Sequence, residues 1–191
     1  MSPDYPFPAA LDDAVAVWKE VIQTYKPENT GLFGTSAGGG LTLATVHKLK
    51  ELNLPLPAAI APCTPWSDLT NIGDTYFTNE YIDNMVITRT GILEASAKLY
   101  AGDYDLKNPL ISPFYGSFKG FPPTILISGT RDMLLSDTVR VHRKLREAGI
   151  EADLQVFEGM SHAEYIPVFN APESKEVFQE IVFFFDKHLG E

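Results

Sequence analysis

The chain has 191 residues, 45% hydrophobic and 21% charged, which is enough for one domain with its own core. Its formal net charge of −10 argues against nucleic acid and anionic membranes as partners. The single cysteine, Cys63, excludes an intramolecular disulfide. The sequence contains neither a long apolar run nor a secretory signal pattern at its start. We therefore expect a cytoplasmic protein without stable membrane anchoring.

The first third of the chain alternates between helical and strand patterns. Apolar residues recur at helical spacing over residues 10–25, and Lys26-Pro27 ends that helix. Residues 30–33 form a short apolar run that predicts a buried strand. A helix is expected over residues 41–52, and a second buried strand over residues 58–61.

Residues 62–121 are the least regular part, with one predicted helix at about residues 89–100. A gap of about sixty residues between two strands is long for a plain crossover. Residues 66–121 are therefore interpreted as a possible lid or pocket-forming insertion. The alternative is a loosely ordered surface excursion.

The remaining sequence returns to alternation. Residues 124–128 predict a buried strand, residues 136–148 a helix, and residues 173–189 a final helix. Residues 151–157 alternate apolar and polar side chains, as in a half-exposed strand near a sheet edge. The whole pattern predicts a single α/β domain, residues 1–191, with a parallel sheet of about four strands flanked by helices.

The most informative stretch is Gly34-Thr35-Ser36-Ala37-Gly38, which matches G-x-S-x-G, the motif of a nucleophile elbow. A strand precedes it and a helix follows, so Ser36 is expected on a sharp strand-to-helix turn. The helix that follows, residues 41–52, would direct its N–H groups and positive dipole end at the site, and the backbone N–H of Ala37 would be an oxyanion donor. The alternative is a glycine-rich turn with a serine of no function.

A serine nucleophile needs a histidine base within hydrogen-bond reach. His47 and His142 lie inside predicted helices, and His188 lies in the last turn of the final helix, so packing or capping explains each. His162 instead follows the strand of residues 151–157, at the end of the sheet where the elbow is expected. His162 is therefore the predicted base.

The orienting acid follows from the same rule. Asp132 lies in the loop of residues 129–132 that follows the strand of residues 124–128, whereas Asp137 lies at the start of the next helix, where a helix-terminal charge explains it. We therefore favour Asp132, with Asp137 as the second choice. The chain order Ser36, Asp132, His162 is the order found in α/β-hydrolases.

Several stretches resemble the hormone-sensitive-lipase-like family of α/β-hydrolase esterases. They include the elbow and stretches spread over nearly the whole chain, namely residues 5–14, 34–39, 65–69, 121–124, 132–134 and 161–162. With Thr35 at the variable position, the elbow resembles that of the GTSAG subgroup of the family. Met133, directly after Asp132, stands where the family often has proline. The resemblance implies a serine carboxylesterase that acts on short acyl esters, with no metal and no organic cofactor.

One family feature has no counterpart in the chain. The family places an HGG-type loop upstream of the elbow, which supplies most of the oxyanion hole, but no histidine here is followed by glycine. The chain therefore looks like the C-terminal portion of an α/β-hydrolase fold, and we expect impaired activity. We also expect self-association or binding of a missing N-terminal segment.

Two alternative functions compete with the hypothesis of an esterase that acts on a small-molecule ester. A serine peptidase or thioesterase would use the same triad, and a non-catalytic binding or assembly module could retain it as a relic. A pocket for the substrate is predicted at four residues that core packing explains equally well: Tyr76, Phe77, Tyr81 and Met85.

Overall fold

The computed structural model describes residues 3–190, so Met1, Ser2 and Glu191 of the predicted domain lie outside the described residues. Four parallel strands form one sheet in the order β1-β2-β3-β4. They span Gly31–Thr35 (β1), Ala59–Cys63 (β2), Thr124–Gly129 (β3) and Ala152–Phe157 (β4). Phe33 pairs with Ala61 across the first two strands, and Leu126 pairs with Leu154 across the last two. The predicted α/β fold with a four-stranded parallel sheet is confirmed.

Six helices accompany the sheet. They are Ala9–Thr24 (α1), Ala37–Glu51 (α2), Thr75–Thr78 (α3), Ile92–Ala101 (α4), Leu135–Glu147 (α5) and Pro172–His188 (α6). Two short 3₁₀ turns, Pro27–Asn29 and Pro113–Tyr115, complete the regular structure of the described residues. Among residues 3–190 no helix combines the length and the apolar character that crossing a bilayer requires.

Alternate residues of the central strands point to opposite faces of the sheet, and each face carries its own core. On one face, Ile60 and Leu126 pack with buried residues of α2 and α5. On the other face, Ala61 and Ile127 pack with the buried side of α6. Helix α1 packs on α2 through its apolar stripe Leu11, Val15 and Trp18. The result is a three-layer arrangement of helices, sheet and helix.

The prediction that residues 30–33 are buried is wrong. β1 is only half-buried along its length, and the side chain of Phe33 is 48% exposed. The physical reason is its position, since β1 pairs with β2 alone and lies at an edge of the sheet. β4 lies at the other edge, as its alternating pattern predicted.

Two predicted helices begin elsewhere. The helix expected from residue 41 begins at Ala37, because the glycines let it pass close to the chain after β2. A Cβ at Gly40 would lie 2.3 Å from the carbonyl oxygen of Trp66. The helix expected from about residue 89 begins at Ile92, because both the backbone and the side chain of Arg89 are bonded to Glu80 instead.

Residues 66–121 are not a loosely ordered excursion. Their side chains Tyr76, Ala97 and Ile111 are buried in the same cluster as Trp18 of α1. Only α3, α4 and one 3₁₀ turn are regular within this segment, and turns form the rest. Its role as a lid stays a prediction.

Candidate active site

Ser36 lies between the end of β1 and the start of α2, with backbone angles φ 58° and ψ −120°. Such angles are strained for any residue with a side chain, and strain of this kind is typical of functional sites. Gly34 permits the turn, because a Cβ there would lie 2.2 Å from the carbonyl oxygen of Gly38. A Cβ at Gly38 would have no neighbour within 4 Å. The first glycine of the motif is therefore required by packing within this chain, and the second is not.

The structure brings the three predicted residues together. The Oγ of Ser36 lies 2.7 Å from Nε2 of His162. The other ring nitrogen of His162, Nδ1, lies 3.0 Å from Oδ1 of Asp132. His162 and Asp132 are both buried. A hydroxyl, an imidazole and a carboxylate thus form one continuous hydrogen-bonded chain, the arrangement that activates a serine as a nucleophile.

Asp132 is saturated with hydrogen bonds. Its Oδ2 accepts the hydroxyls of Ser128, over 2.6 Å, and of Thr64. Its Oδ1 accepts the N–H of Leu134 over 2.8 Å as well as the histidine. Burial alone raises the pKa of this carboxyl, but the bonds from His162, Ser128 and Thr64 outweigh burial and hold the pKa below its usual value. Asp132 therefore stays ionised beside the histidine at neutral pH.

Thr64 is a member of the site that the sequence analysis missed. Its Oγ1 lies 2.8 Å from Nδ1 of His162 and donates to Asp132. It directly follows β2, so the strand-end rule that selected the predicted triad applies to it too.

Asn79 and Asp83, in the irregular segment, were missed as well. The amide of Asn79 donates to the backbone carbonyls of Thr130 and Asp132, over 3.2 and 2.9 Å. The buried carboxylate of Asp83 accepts the N–H of Met133 over 2.8 Å and that of His162 over 3.3 Å. Residues 79–86 therefore hold both loops that carry the acid and the base. No periodicity marks such contacts in the sequence.

The elbow has one further support. The hydroxyls of Thr35 and Tyr165 lie 2.7 Å apart, which ties the elbow to the loop that follows His162.

Burial raises the pKa of the nearby Cys63 thiol to about 12. That thiol is therefore not a competing nucleophile at neutral pH.

Ala37 is exposed and opens α2. Its N–H is among the first four of the helix, which have no acceptor inside the helix. It is also adjacent to Ser36, the candidate nucleophile, which is where an oxyanion donor would be needed.

The four predicted pocket residues are placed differently from one another. Tyr76 is buried in the core and donates its hydroxyl to Asp137 over 3.3 Å, in keeping with the packing alternative. Phe77, Tyr81 and Met85 are exposed. The last two lie on residues 79–86, the segment that contacts the acid and base loops.

The second-choice acid, Asp137, lies away from the histidine. Its Oδ2 accepts the N–H groups of Ser67 and Asp68, and the Arg140 guanidinium lies between the carboxylates of Asp68 and Asp137. Burial and the Asp68 charge raise the pKa of Asp137 to about 8. This buried cluster is structural.

The other three histidines have local partners. Burial lowers the pKa of His47 to about 4, and its Nε2 bonds to the carbonyl of Pro113. His142 bonds to the carbonyl of Ala152, and His188 lies 3.4 Å from Glu151. Within residues 3–190, no three or more histidine, cysteine, aspartate or glutamate side chains are grouped so that they could hold a metal ion.

Several known proteins are similar to this chain in sequence. A family model described as alpha/beta hydrolase fold matches residues 1–166. An acetyl-hydrolase of Streptomyces hygroscopicus is 31% identical over 192 residues, covering 99% of this chain and 63% of the relative. An esterase of Acinetobacter venetianus is 29% identical, covering 96% of this chain and 61% of the relative.

Solved structures of esterases are also similar to this chain. The esterase E25 is 45% identical, with a TM-score of 0.96, and the match covers 100% of this chain and 58% of that one. An esterase of the bacterial hormone-sensitive lipase family is 34% identical, with a TM-score of 0.95, covering 100% and 64%. The chain thus spans less than two thirds of the length of these relatives.

Proposed function

This chain belongs to the α/β-hydrolase fold family, and from that membership we propose that it is a serine carboxylesterase that hydrolyses short acyl esters. The observation that carries the proposal is the chain of contacts from Ser36 to His162 to Asp132, at 2.7 and 3.0 Å. The names of its relatives, acetyl-hydrolase and esterase, support an ester as the substrate class.

The first half of the proposed reaction forms an acyl-enzyme. The Oγ of Ser36 attacks the ester carbonyl while Nε2 of His162 takes its proton, and Asp132 stabilises the imidazolium through Nδ1–H. The negative charge moves to the carbonyl oxygen, where the N–H of Ala37 donates to it. The tetrahedral intermediate collapses, the C–O bond to the alcohol breaks, and His162 returns the proton to the departing alkoxide.

The second half releases the acid. Water attacks the acyl carbon while His162 Nε2 accepts its proton, and the second tetrahedral intermediate again places its charge beside Ala37. Collapse expels Ser36 Oγ, which regains its proton from His162, and the carboxylic acid leaves. No metal or organic cofactor takes part in these steps.

We propose that the 191-residue chain carries out this reaction poorly on its own. Ala37 is the one oxyanion donor that we assign, and loss of a single donor costs about 10²–10³ in kcat. A binding or assembly role is the alternative that this deficit favours.

A covalent probe tests the nucleophile. A fluorophosphonate should label the folded chain at Ser36, and Ser36→Ala and His162→Ala should each abolish labelling. Ser96→Ala, on the exposed side of α4, is the matched control and should label like the parent. Equal labelling of the His162→Ala variant would overturn the triad. Parallel assays on an ester, a thioester and a peptide separate an esterase from a thioesterase or peptidase.

We also propose that the exposed edge of β1 contacts another polypeptide, either a second copy or an N-terminal segment. The Phe185 side chain of helix α6 packs against this strand, since a Cβ at Gly31 would lie 2.9 Å from its ring. Exposed apolar side chains occur on both elements: Phe33, Phe178, Val182 and Phe183. An edge strand without protecting charge is a site for strand pairing, and apolar patches are typical of interfaces.

A further inference from the structure

Thr64 has a backbone conformation that is unusual for its residue type. Its φ is 38°, in the left-handed region that β-branched residues rarely adopt. It also precedes Pro65, and a residue before proline normally prefers an extended backbone. A strained residue at the end of a strand, directly beside the triad, points to a role that requires its side chain.

The hydrogen-bond roles of the Thr64 hydroxyl follow from its partners. Asp132 is ionised and can only accept, so Thr64 donates its single hydrogen to Oδ2 of that carboxylate. The lone pairs of Oγ1 then face Nδ1 of His162 at 2.8 Å, so that nitrogen must carry the proton. The proton on Nδ1 is shared between Thr64 Oγ1 and Asp132 Oδ1. Nε2 is left as the base towards Ser36.

We propose that Thr64 is a positioning residue of the triad, whose hydroxyl bridges His162 and Asp132 and fixes the ring for proton transfer from Ser36. This inference rests on the proposed function. During acylation the proton of Ser36 moves to Nε2, while the proton on Nδ1 keeps both acceptors. Thr64 therefore stabilises the imidazolium directly and anchors the carboxylate that stabilises it further.

Two substitutions and one control test this role. Thr64→Val removes the hydroxyl with little change in volume, and Thr64→Ser keeps it. Thr124→Val is the matched control, since Thr124 is also buried and its hydroxyl bonds to the carbonyl of Pro122, at the start of β3. Because bonds to charged groups contribute most, we expect Thr64→Val to slow fluorophosphonate labelling about tenfold or more. Thr64→Ser and Thr124→Val should label within about threefold of the parent.

A second readout does not depend on activity. The ionisable groups around Asp132 are His162 and Tyr165 on the loop after β4, and Asp83 on the segment of residues 66–121. The carboxyl carbon of Asp132, followed by NMR, should titrate at a higher pH in Thr64→Val than in the parent, because the ionised form loses a donor. Thr64→Ser should restore the parent midpoint.

The outcomes distinguish a failure of the Thr64 positioning role from a failure of the proposed function. An unchanged labelling rate together with an unchanged titration midpoint in Thr64→Val would overturn the role of Thr64. An equal loss of labelling in Thr64→Ser or Thr124→Val would overturn it as well, since a general packing defect would then explain the effect. If the parent itself fails to label, the proposed function fails. The titration then decides alone, with a raised midpoint supporting the positioning role and an unmoved one rejecting it.

Discussion

The side-chain amide of Asn79 donates to the backbone carbonyl oxygen of Asp132 over 2.9 Å. A residue of the irregular segment thus holds the turn that carries the Asp132 carboxylate. Asp83, four residues later, accepts N–H groups from both the acid turn and the base loop. These contacts connect the packing of residues 66–121 to the geometry of the site.

We therefore expect Asp83→Asn to weaken both folding and catalysis. The amide group of asparagine would point an N–H towards backbone donors that now bond to a carboxylate. The free energy of unfolding should fall by about 1–3 kcal/mol, and labelling of Ser36 should slow. Urea denaturation and probe labelling measure the two effects. Asp186→Asn, at an exposed position on α6, is the control and should change neither. Parent-like stability and labelling in Asp83→Asn would contradict this prediction.

Turnover should be slow on activated esters. With Ala37 as the one assigned oxyanion donor, we expect detectable hydrolysis of a short-chain aryl ester, with kcat below about 1 s⁻¹, the lower end of the common enzyme range. Ordinary alkyl esters should show little turnover, because their leaving groups are poorer. Initial rates, corrected with the Ser36→Ala variant, measure this. A kcat within the common range would mean that a further oxyanion donor operates.

The buried Asp68–Asp137–Arg140 cluster should make stability depend on pH. Burial and the Asp68 charge raise the pKa of Asp137 from its unfolded value of 3.8 to about 8. Between these values the folded state binds more protons than the unfolded state, so the free energy of unfolding falls as pH rises. The decline should end once the pH passes the folded-state value.

The variant Asp137→Asn isolates this contribution because asparagine does not titrate. We expect its free energy of unfolding to decline less steeply with pH than that of the parent, between about pH 5 and about pH 8. Urea denaturation at several pH values gives both slopes. Parallel slopes would show that Asp137 titrates alike in the folded and unfolded chains.

Self-association should follow from the β1 edge. At micromolar concentration, sedimentation velocity of the parent should show species larger than a monomer, because the strand edge and the apolar residues beside it are open. Phe33→Lys should reduce association, since an edge lysine discourages strand pairing. Ile92→Lys, at an exposed apolar position on α4, is the control and should associate like the parent. A monodisperse parent that unfolds cooperatively and binds no ANS would contradict the open edge.

The order of helices and strands could be predicted because periodicity is a local property. The meeting of Ser36, Asp132 and His162 was also predictable, since parallel strands bring their carboxyl ends to one edge of the sheet. The partial exposure of β1 could not be predicted from its apolar run, because strand order within a sheet depends on contacts between distant segments. The start of α2 was missed since glycine disfavours a helix locally, while the close approach of Gly40 to Trp66 favours it.

The sequence analysis did not identify Thr64, Asn79 and Asp83 as site residues, for a related reason. Their functions depend on hydrogen bonds across long sequence separations, with partners that an irregular segment does not reveal. Thr64 alone carried a usable signal, since it follows a predicted strand as Asp132 does. Asn79 and Asp83 lie among turns, where polar residues are common and local geometry usually explains them.

If a polypeptide pairs with β1, the position of Ser36 at the end of this edge strand would couple assembly to the proposed catalysis. Within the sheet, β1 and the strained elbow at its end are paired on one side only, by β2. A polypeptide that adds a strand to β1 would restrain the elbow. The free energy with which this polypeptide binds would then differ between the ordered and the loosened conformation of the site. By thermodynamic reciprocity, a ligand that orders Ser36 would tighten that association by the same factor. A reversible inhibitor that orders Ser36 would thus shift the association equilibrium of the chain.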